Sequence, residues 1–443
     1  MKHSNSFLSE AKAFLLLWST QSFSELGSAM TSYALVIWSY EQKGSALATS
    51  LLMICSYAPY VILSIFAGTI SDRWNKKRIM LICDTVAAMG TVTVFLLLKT
   101  GTLALWHLYV LNALNGLMNT VQQPASEVAV TRILPRKYYQ KIGGMRYFSN
   151  ALNSIGTPIL ATAFLAFAGM TAVLCFDLLT FGVAFITLFF CIRIPENTVP
   201  PEKKESFIMS AQTGIKYLHN KRGIFDLILF LACINLTASM YQAAFPAMLL
   251  SRINGGQRAL GTVNAVMGIA MLAGSIIASL LGKPKSRIRV ICNTLLFSMS
   301  FENFILAFGR TVPVWCTGGF LGWIFIPLMS TNLDAVLREY IPVELQGRVY
   351  SVRNTLQFFT IPVGYFLGGI LVDKVFEPVM QVQRTGSILL LLFGSGKGSG
   401  AAFFFFVIAF LGIFTCVLFR RDKNLWKLEE SPNSTQASRY GVL

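Results

Sequence analysis

Gly68-Thr-Ile-Ser-Asp72-Arg73-Trp-Asn75-Lys76-Lys77-Arg78 is the stretch from which the rest of the chain can be read. An apolar run of more than twenty residues precedes it, and another, Ile79 to Leu98, follows. A bilayer-spanning helix needs about 20 mostly apolar residues, so the stretch is a short basic turn between two membrane helices. Its four cations, Arg73, Lys76, Lys77 and Arg78, put such a turn on the cytoplasmic side. Gly68 leaves room for a neighbouring helix, as small residues do in membrane packing. Asp72 sits just past the helix, within reach of the cations beside it. Asn75 is a residue type that accepts a left-handed turn. From charge alone, a plain positive-inside loop accounts for the stretch equally well.

Composition extends this reading to the whole chain. Of 443 residues, 54% are hydrophobic and 13% charged, 35 are Phe, and the mean hydropathy is +0.59. That excludes a soluble protein of two or three domains and points to a polytopic, all-α membrane protein. Twelve transmembrane helices are expected, near 13–39, 46–70, 79–98, 104–126, 142–168, 170–192, 225–250, 259–281, 288–309, 312–336, 354–376 and 401–420. The fifth and sixth are separated by a turn at Gly169. The net charge of +17 reflects Lys and Arg beside the bilayer, not nucleic-acid binding. The eight cysteines form no Cys-x-x-Cys pair, and His3, His107 and His219 lie far apart, so disulfides, zinc, other metals and cofactors are not expected. The apolar stretch after the N-terminus is too long for a cleaved signal peptide and reads as a retained first helix.

Charge asymmetry orients the array. With the N-terminus inside, 29 of the 37 Lys and Arg fall on the inner side, so both termini are expected in the cytoplasm. Residues 1–193 form the first six-helix half and 225–421 the second. Between them, 194–224 carries Pro200-Pro201 and then Phe207, Ile208, Ala211, Ile215 and Leu218 at helical spacing beside Lys216, Lys221 and Arg222. This is the pattern of an amphipathic helix on the inner membrane surface. Residues 422–443 read as a disordered polar tail anchored near Trp426. The two halves repeat one another. At a constant offset of 207, Pro135 and Arg146 fall on Pro342 and Arg353, Glu127 on Asp334, and Leu134 on Ile341. Phe393-Gly-Ser-Gly-Lys-Gly-Ser-Gly400 reads as a flexible external linker. A phosphate loop needs Ser or Thr after its Lys, and Gly398 follows Lys397 here.

The pattern Gly-x-x-x-Asp-Arg followed by three basic residues at 76–78 resembles the loop 2–3 signature of the major facilitator superfamily, with Asn75 at the usual glycine. The resemblance implies that Gly68, Asp72, Arg73, Lys77 and Arg78 form a cytoplasmic latch stabilising the outward-facing state. It also implies the major facilitator fold, two parallel six-helix halves. Ile341-Pro-Val-Glu-Leu-Gln-Gly-Arg348-Val-Tyr-Ser, Pro362-Val-Gly364, Asp373-Lys-Val-Phe-Glu-Pro378, Gly44-Ser-Ala-Leu and Asp84 resemble the drug–proton antiporter branch, specifically macrolide-efflux-type exporters. A Gly-Pro motif of that branch survives only as Gly156-Thr-Pro158. Its arginine within helix four is replaced by a helix carrying Asn112, Asn115 and Asn119.

Charges inside a bilayer cost roughly +2.5 to +3.5 kcal/mol each, so the acids within the spans are the candidate coupling residues: Glu25, Asp84, Asp177 and Glu302. Trp18, Gln21, Ser22, Glu25, Ser28 and Ser32 share one helix face. That face lines either a water-filled cavity or another polar helix, and Trp18, Gln21, Ser22 and Asn112 are the candidate substrate-cavity residues. Glu25 is read either as the proton carrier or as a protonated structural acid, and the same alternatives hold for Glu302. Asp84 is read as an ion-pair partner of the basic loop or as a proton carrier, and Asp177 as structural. Glu127, Arg146, Asp334 and Arg353, placed symmetrically in the two halves, are candidate inner-gate ion pairs or plain surface charges. The expected function is proton-coupled export of a small amphipathic compound from the bacterial inner membrane by alternating access, by a monomer in the lipid bilayer and without ATP. The alternatives are export of a siderophore or a lipid and, remotely, a membrane-embedded enzyme, for which the short loops offer no clustered catalytic groups.

Overall fold

The computed structural model describes residues 12–133, 139–194 and 207–429, and every regular element among them is helical. α1 (Lys12–Lys43), α2 (Ala46–Arg73), α3 (Lys76–Lys99) and α4 (Leu105–Ile133) come first. The stretch Tyr139–Ile186 bends at Gly169, whose φ of 71° and ψ of −174° are non-helical. α5 is the arm before this glycine. α6 is the arm after it and ends in a π turn, Thr187–Cys191. A positive φ costs glycine nothing because it has no Cβ, so two spans are joined with no loop between them. α7 (Phe207–Asn220), α8 (Arg222–Ser251) and α9 (Gln257–Leu280) follow. α10 is Arg287–Phe308, with a π turn at Ser298–Glu302. α11 is Val312–Tyr340, interrupted after Trp323. α12 opens as Val343–Phe358 and continues through Thr360–Leu371 and a π turn, Val372–Phe376, to Glu377–Gln381. α13 (Ile388–Phe393), α14 (Ser399–Arg420) and α15 (Lys423–Lys427) complete the chain.

Among the described residues, nine helical segments are long and apolar enough to cross a membrane. One of them, Phe148–Cys191, contains both arms of the bend at Gly169. α1 and α4, at 32 and 29 residues, are long enough but carry too many polar side chains to stand out by hydropathy. With the arms taken separately, the segments that meet this test account for ten of the twelve expected, and α1 and α4 lie over the other two by position alone.

The chain divides into two compact units, Met1–Pro200 with Gly256–Ala265, and Pro201–Gly255 with Val266–Leu443. In the first, Leu26, Met30, Ala34, Ala161 and Val173 close a core between α1, α5 and α6. Leu35, Leu52, Val94, Leu108 and Leu174 close another. The start of α9 belongs to this unit: Gln257 donates to Glu41 Oε1 at 2.6 Å and Asn264 to the Tyr33 hydroxyl at 3.4 Å. In the second unit one core runs through Leu218 of α7, Leu227 and Ile228 of α8, Ile291 of α10, Leu337 of α11, Val349 of α12 and Leu425 of α15.

Three expectations are corrected. Asn75 does not take a left-handed turn. It is extended, with φ −60° and ψ 120°, and caps α3 by accepting from the Arg78 N–H at 2.9 Å, because only that geometry turns its carboxamide toward the first turn. The segment after Asp422 is not disordered before residue 430. α15 buries Leu425 completely, Asn424 donates to Asp226 Oδ2 at 3.0 Å, and Glu429 accepts from the Ile288 N–H at the start of α10 at 2.6 Å. Residues 430–443 lie outside the described residues. Finally, 393–400 is not a flexible linker. Glu377 Oε1 accepts from the N–H groups of Gly398 (2.9 Å) and Ala401 (3.3 Å), placing a carboxylate on the N-terminus of α14, and Arg252 donates to the Phe393 carbonyl at 2.7 Å. Gly398 has φ +90°, and a Cβ there would stand 2.4 Å from Ser251 Oγ. The glycines let backbone lie against backbone; they do not loosen the loop.

Candidate functional site

In the first unit the polar face of α1 is tied into its neighbours. Gln21 donates to Asp84 Oδ2 on α3 at 3.3 Å, and Gln122 of α4 donates to Asp84 Oδ1 at 2.6 Å. Among the described residues, which leave out the Arg73 side chain, the bonds of Asp84 are thus to two amides from different helices and not to a cation of the basic loop. The carboxamides reach it because α1 and α4 each bring a Gln against α3 at this point. Ser22 and Ser149 of α5 share a hydrogen bond of 2.8 Å. Asp177, 3% exposed on α6, accepts from Ser28 (3.0 Å), Thr31 (3.0 Å) and Thr91 (2.9 Å), so one carboxylate joins α1, α3 and α6. Side-chain hydrogen bonds of this kind hold helices together where lipid supplies no hydrophobic drive.

The remaining polar candidates on α1 and α4 stand differently. Glu25 is exposed. Trp18 lies 6.5 Å from Phe148, ring to ring, with its indole N–H buried and unbonded. Asn112 spends its amide on the Leu108 carbonyl of its own helix at 2.8 Å. Asn115 Oδ1 is buried without a hydrogen-bond partner. An enclosed, unsatisfied acceptor is costly unless something meets it, and nothing in the run Asn112, Asn115 and Asn119 sets Asn115 apart from its neighbours.

In the second unit the notable acid is Glu302, 4% exposed at the end of the π turn in α10. Trp323 of α11 donates from Nε1 to Glu302 Oε1 at 3.0 Å. Tyr241 of α8 is buried beside it, its hydroxyl making no hydrogen bond among the described residues. Gly322 makes the space: a Cβ there would stand 2.2 Å from Glu302 Oε2. The carboxylate therefore occupies the volume of a missing side chain, next to the break in α11. The sequence marked Glu302 but offered no sign of Trp323, Tyr241 or Gly322, which act only through the fold.

The basic turn and the repeated charges are placed as follows. Gly68 and the side chains of Asp72, Arg73 and Arg146 are outside what the structure describes. Lys77 donates to the carbonyls of Phe189 (2.9 Å) and Ile192 (2.8 Å), capping the C-terminal end of α6, where cations are favoured. Arg78 supplies the N–H that Asn75 caps. Glu127 and Asp334 are exposed. Arg353 bonds Gln357 one turn along its own helix at 3.0 Å and lies over Tyr350. Nearby, Arg287 and Glu339 join α10 to α11 in an ion pair of 2.6 Å, a contact not anticipated from the sequence.

The regular elements of the described residues are all helical, with acids enclosed between the helices, and comparison supplies the family. The family model described as Major Facilitator Superfamily matches residues 17–301. The chain belongs to this superfamily. Among members, it is 22% identical over 366 residues to macrolide efflux protein A of Streptococcus pyogenes, covering 82% of this chain and 90% of that one. It is 22% identical over 335 residues to the enterobactin exporter EntS of Escherichia coli O1:K1, covering 73% and 76%. The structure of a bacterial homologue of the lysosomal transporter Spinster, inward-facing and unoccupied, superposes with a TM-score of 0.67 at 14% identity, covering 97% of this chain and 100% of that one. At that identity the likeness speaks for the fold.

Proposed function

We propose that this superfamily member is a secondary active exporter that expels an amphipathic, macrolide-like compound in exchange for protons. The observation that carries the reading is Glu302, a carboxylate enclosed within a membrane span and met by a neutral indole N–H. An uncompensated charge in such a place is expensive, so the group works either by holding a proton or by meeting a cation. A coupling site alternates between those two states. Glu25, exposed on the polar face of α1, is the candidate through which substrate and proton compete, and Asp84, held by Gln21 and Gln122, is a third coupling candidate. Asp177, saturated by three hydroxyls, is the structural member of the set. The similarity to macrolide efflux protein A over most of both chains supports a bulky amphipathic substrate. The similarity to an enterobactin exporter supports siderophore export as the second reading.

In this proposal the transporter sits as a monomer in the bacterial inner membrane with both termini cytoplasmic. Residues 1–193 and 225–421 rock about a central cavity. Gly68, Asp72, Arg73, Lys77 and Arg78 latch the outward-facing state, and Glu127, Arg146, Asp334 and Arg353 close the inner gate. The test is accumulation of a macrolide and of a catecholate siderophore in an efflux-deficient host carrying the protein. Macrolide levels should fall below the empty-vector control, and a protonophore should abolish the difference. Unchanged macrolide with depleted siderophore selects the second reading. Depletion that survives the protonophore removes proton coupling.

A further inference from the structure

The groups assigned to transport above leave out a small cavity in the second unit. It measures about 90 Å³ and lies between α7, the first turn of α8, and α12. Leu218 and Val352, both buried, line it, together with Ile215, Phe225 and Leu356. The exposed side chains of His219 and Arg222 line the same space. Its walls are fixed. A Cβ on Gly214 would stand 2.7 Å from the Arg348 carbonyl oxygen, so α7 lies directly on the α12 backbone, and the Tyr217 hydroxyl donates to the Tyr340 carbonyl at 2.5 Å.

The polarity around the cavity is ordered. Lys216, His219, Lys221 and Arg222 are all exposed within two turns. Among the described residues the acids on this side are Asp226, one turn along α8 from Arg222, and Asp422; both accept from Asn424, and two carboxylates leave the three cations Lys216, Lys221 and Arg222 in excess. On the other side the surface is apolar and belongs to two membrane spans, Arg222–Ser251 and Arg348–Gln381. Leu229 continues from Phe225 along α8, and Phe359 continues from Leu356 along α12; these two residues are 46% and 62% exposed. Cations at the polar end, a greasy pocket behind them and exposed apolar side chains running into the hydrocarbon match one class of molecule. We propose that this cavity binds an anionic phospholipid. Its phosphate meets Arg222 and His219, its glycerol end enters the pocket, and an acyl chain follows Phe225, Leu229, Leu356 and Phe359. Clustered basic residues beside a span attract anionic headgroups. A pocket this small holds the region next to the headgroup and leaves the chains outside. The inference rests only on the membrane placement of α8 and α12, not on what is exported.

The test uses the full-length protein in nanodiscs of phosphatidylcholine, probed with trace spin-labelled phosphatidylglycerol or spin-labelled phosphatidylcholine. Wild type should immobilise phosphatidylglycerol in preference to phosphatidylcholine. In the double variant His219→Gln/Arg222→Gln that preference should fall about fivefold, the effect of removing the Arg222 cation from a lipid surface. Ile215→Trp, which fills the rim and keeps the cations, should lose the immobilised phosphatidylglycerol, whereas Arg384→Gln, an exposed cation elsewhere, should behave as wild type. The proposal is overturned by equal immobilisation of both lipids in wild type, by a preference unchanged in the double variant, or by equal loss in Arg384→Gln. Displacement of the spin label by millimolar glycerol phosphate would instead mark a site for a free anion and overturn the lipid assignment. The readout is lipid binding, so its failure leaves the export proposal standing.

Discussion

Glu302→Gln keeps the shape of the side chain and an oxygen for the Trp323 N–H but removes the charge. The fold should survive, with thermal unfolding close to wild type. Proton-driven efflux into inside-out vesicles should drop about tenfold or more, a barrier change of ~1.4 kcal/mol. Wild-type flux in this variant would make Glu302 a structural acid. Gly322→Ala tests the same place by size: its methyl would meet the carboxylate at 2.2 Å, an overpacking that costs about 1–3 kcal/mol. That should appear as a lowered unfolding temperature before any loss of transport per folded molecule. For Glu25→Gln the expected change is in pH dependence. Substrate binding should persist but stop varying with pH, because the group that trades a proton for a substrate is gone. A binding curve that still shifts with pH in the variant moves coupling to Glu302 or Asp84. The sequence made all of these acids visible, since a charge inside an apolar run stands out. Position within an apolar run put Glu25 and Glu302 on a par, because exposure at Glu25 and enclosure at Glu302 depend on which helix covers each face.

Among the elements, the glycine-rich connection before α14 and the carboxylate of Asp177 give the sharpest expectations. Gly398→Ala places a side chain at φ +90° and against Ser251 Oγ; a residue forced into that region costs about 1–3 kcal/mol. The variant should unfold at lower temperature, and Glu377→Gln, which keeps one acceptor for Gly398 and Ala401, should lose less. Equal stability of Gly398→Ala and wild type would return the segment to the status of a loose linker. Asp177→Ala leaves the hydroxyls of Ser28, Thr31 and Thr91 without their shared acceptor, and a buried polar group left unpaired costs about 1–3 kcal/mol. Purified protein should show this as earlier thermal unfolding. The ends of the spans were legible because proline, glycine and charge punctuate apolar runs. The role of 393–400 was not, because a run of glycines looks the same whether it is loose or pressed against backbone.

For the whole molecule the checkable statement is orientation. Reporter fusions after Lys221 and near Gly398 should give opposite signals, the first cytoplasmic and the second external. Matching signals would mean that an odd number of the proposed crossings is wrong. The sequence by itself determined where the helices run and that they number about twelve. A segment in lipid must satisfy its backbone hydrogen bonds internally, so span length and hydropathy are local properties that one stretch displays without its neighbours. Only the tertiary structure decided which polar groups meet. Asp84 is held by residues 63 and 38 positions away, Asp177 by Thr91 on another helix, and Glu302 by Trp323 and the space at Gly322. The physical reason lies in the solvent. Lipid is as apolar as a helix interface, so the face of a membrane helix that will be covered carries little mark in its sequence. Its partners become known only when the helices are packed.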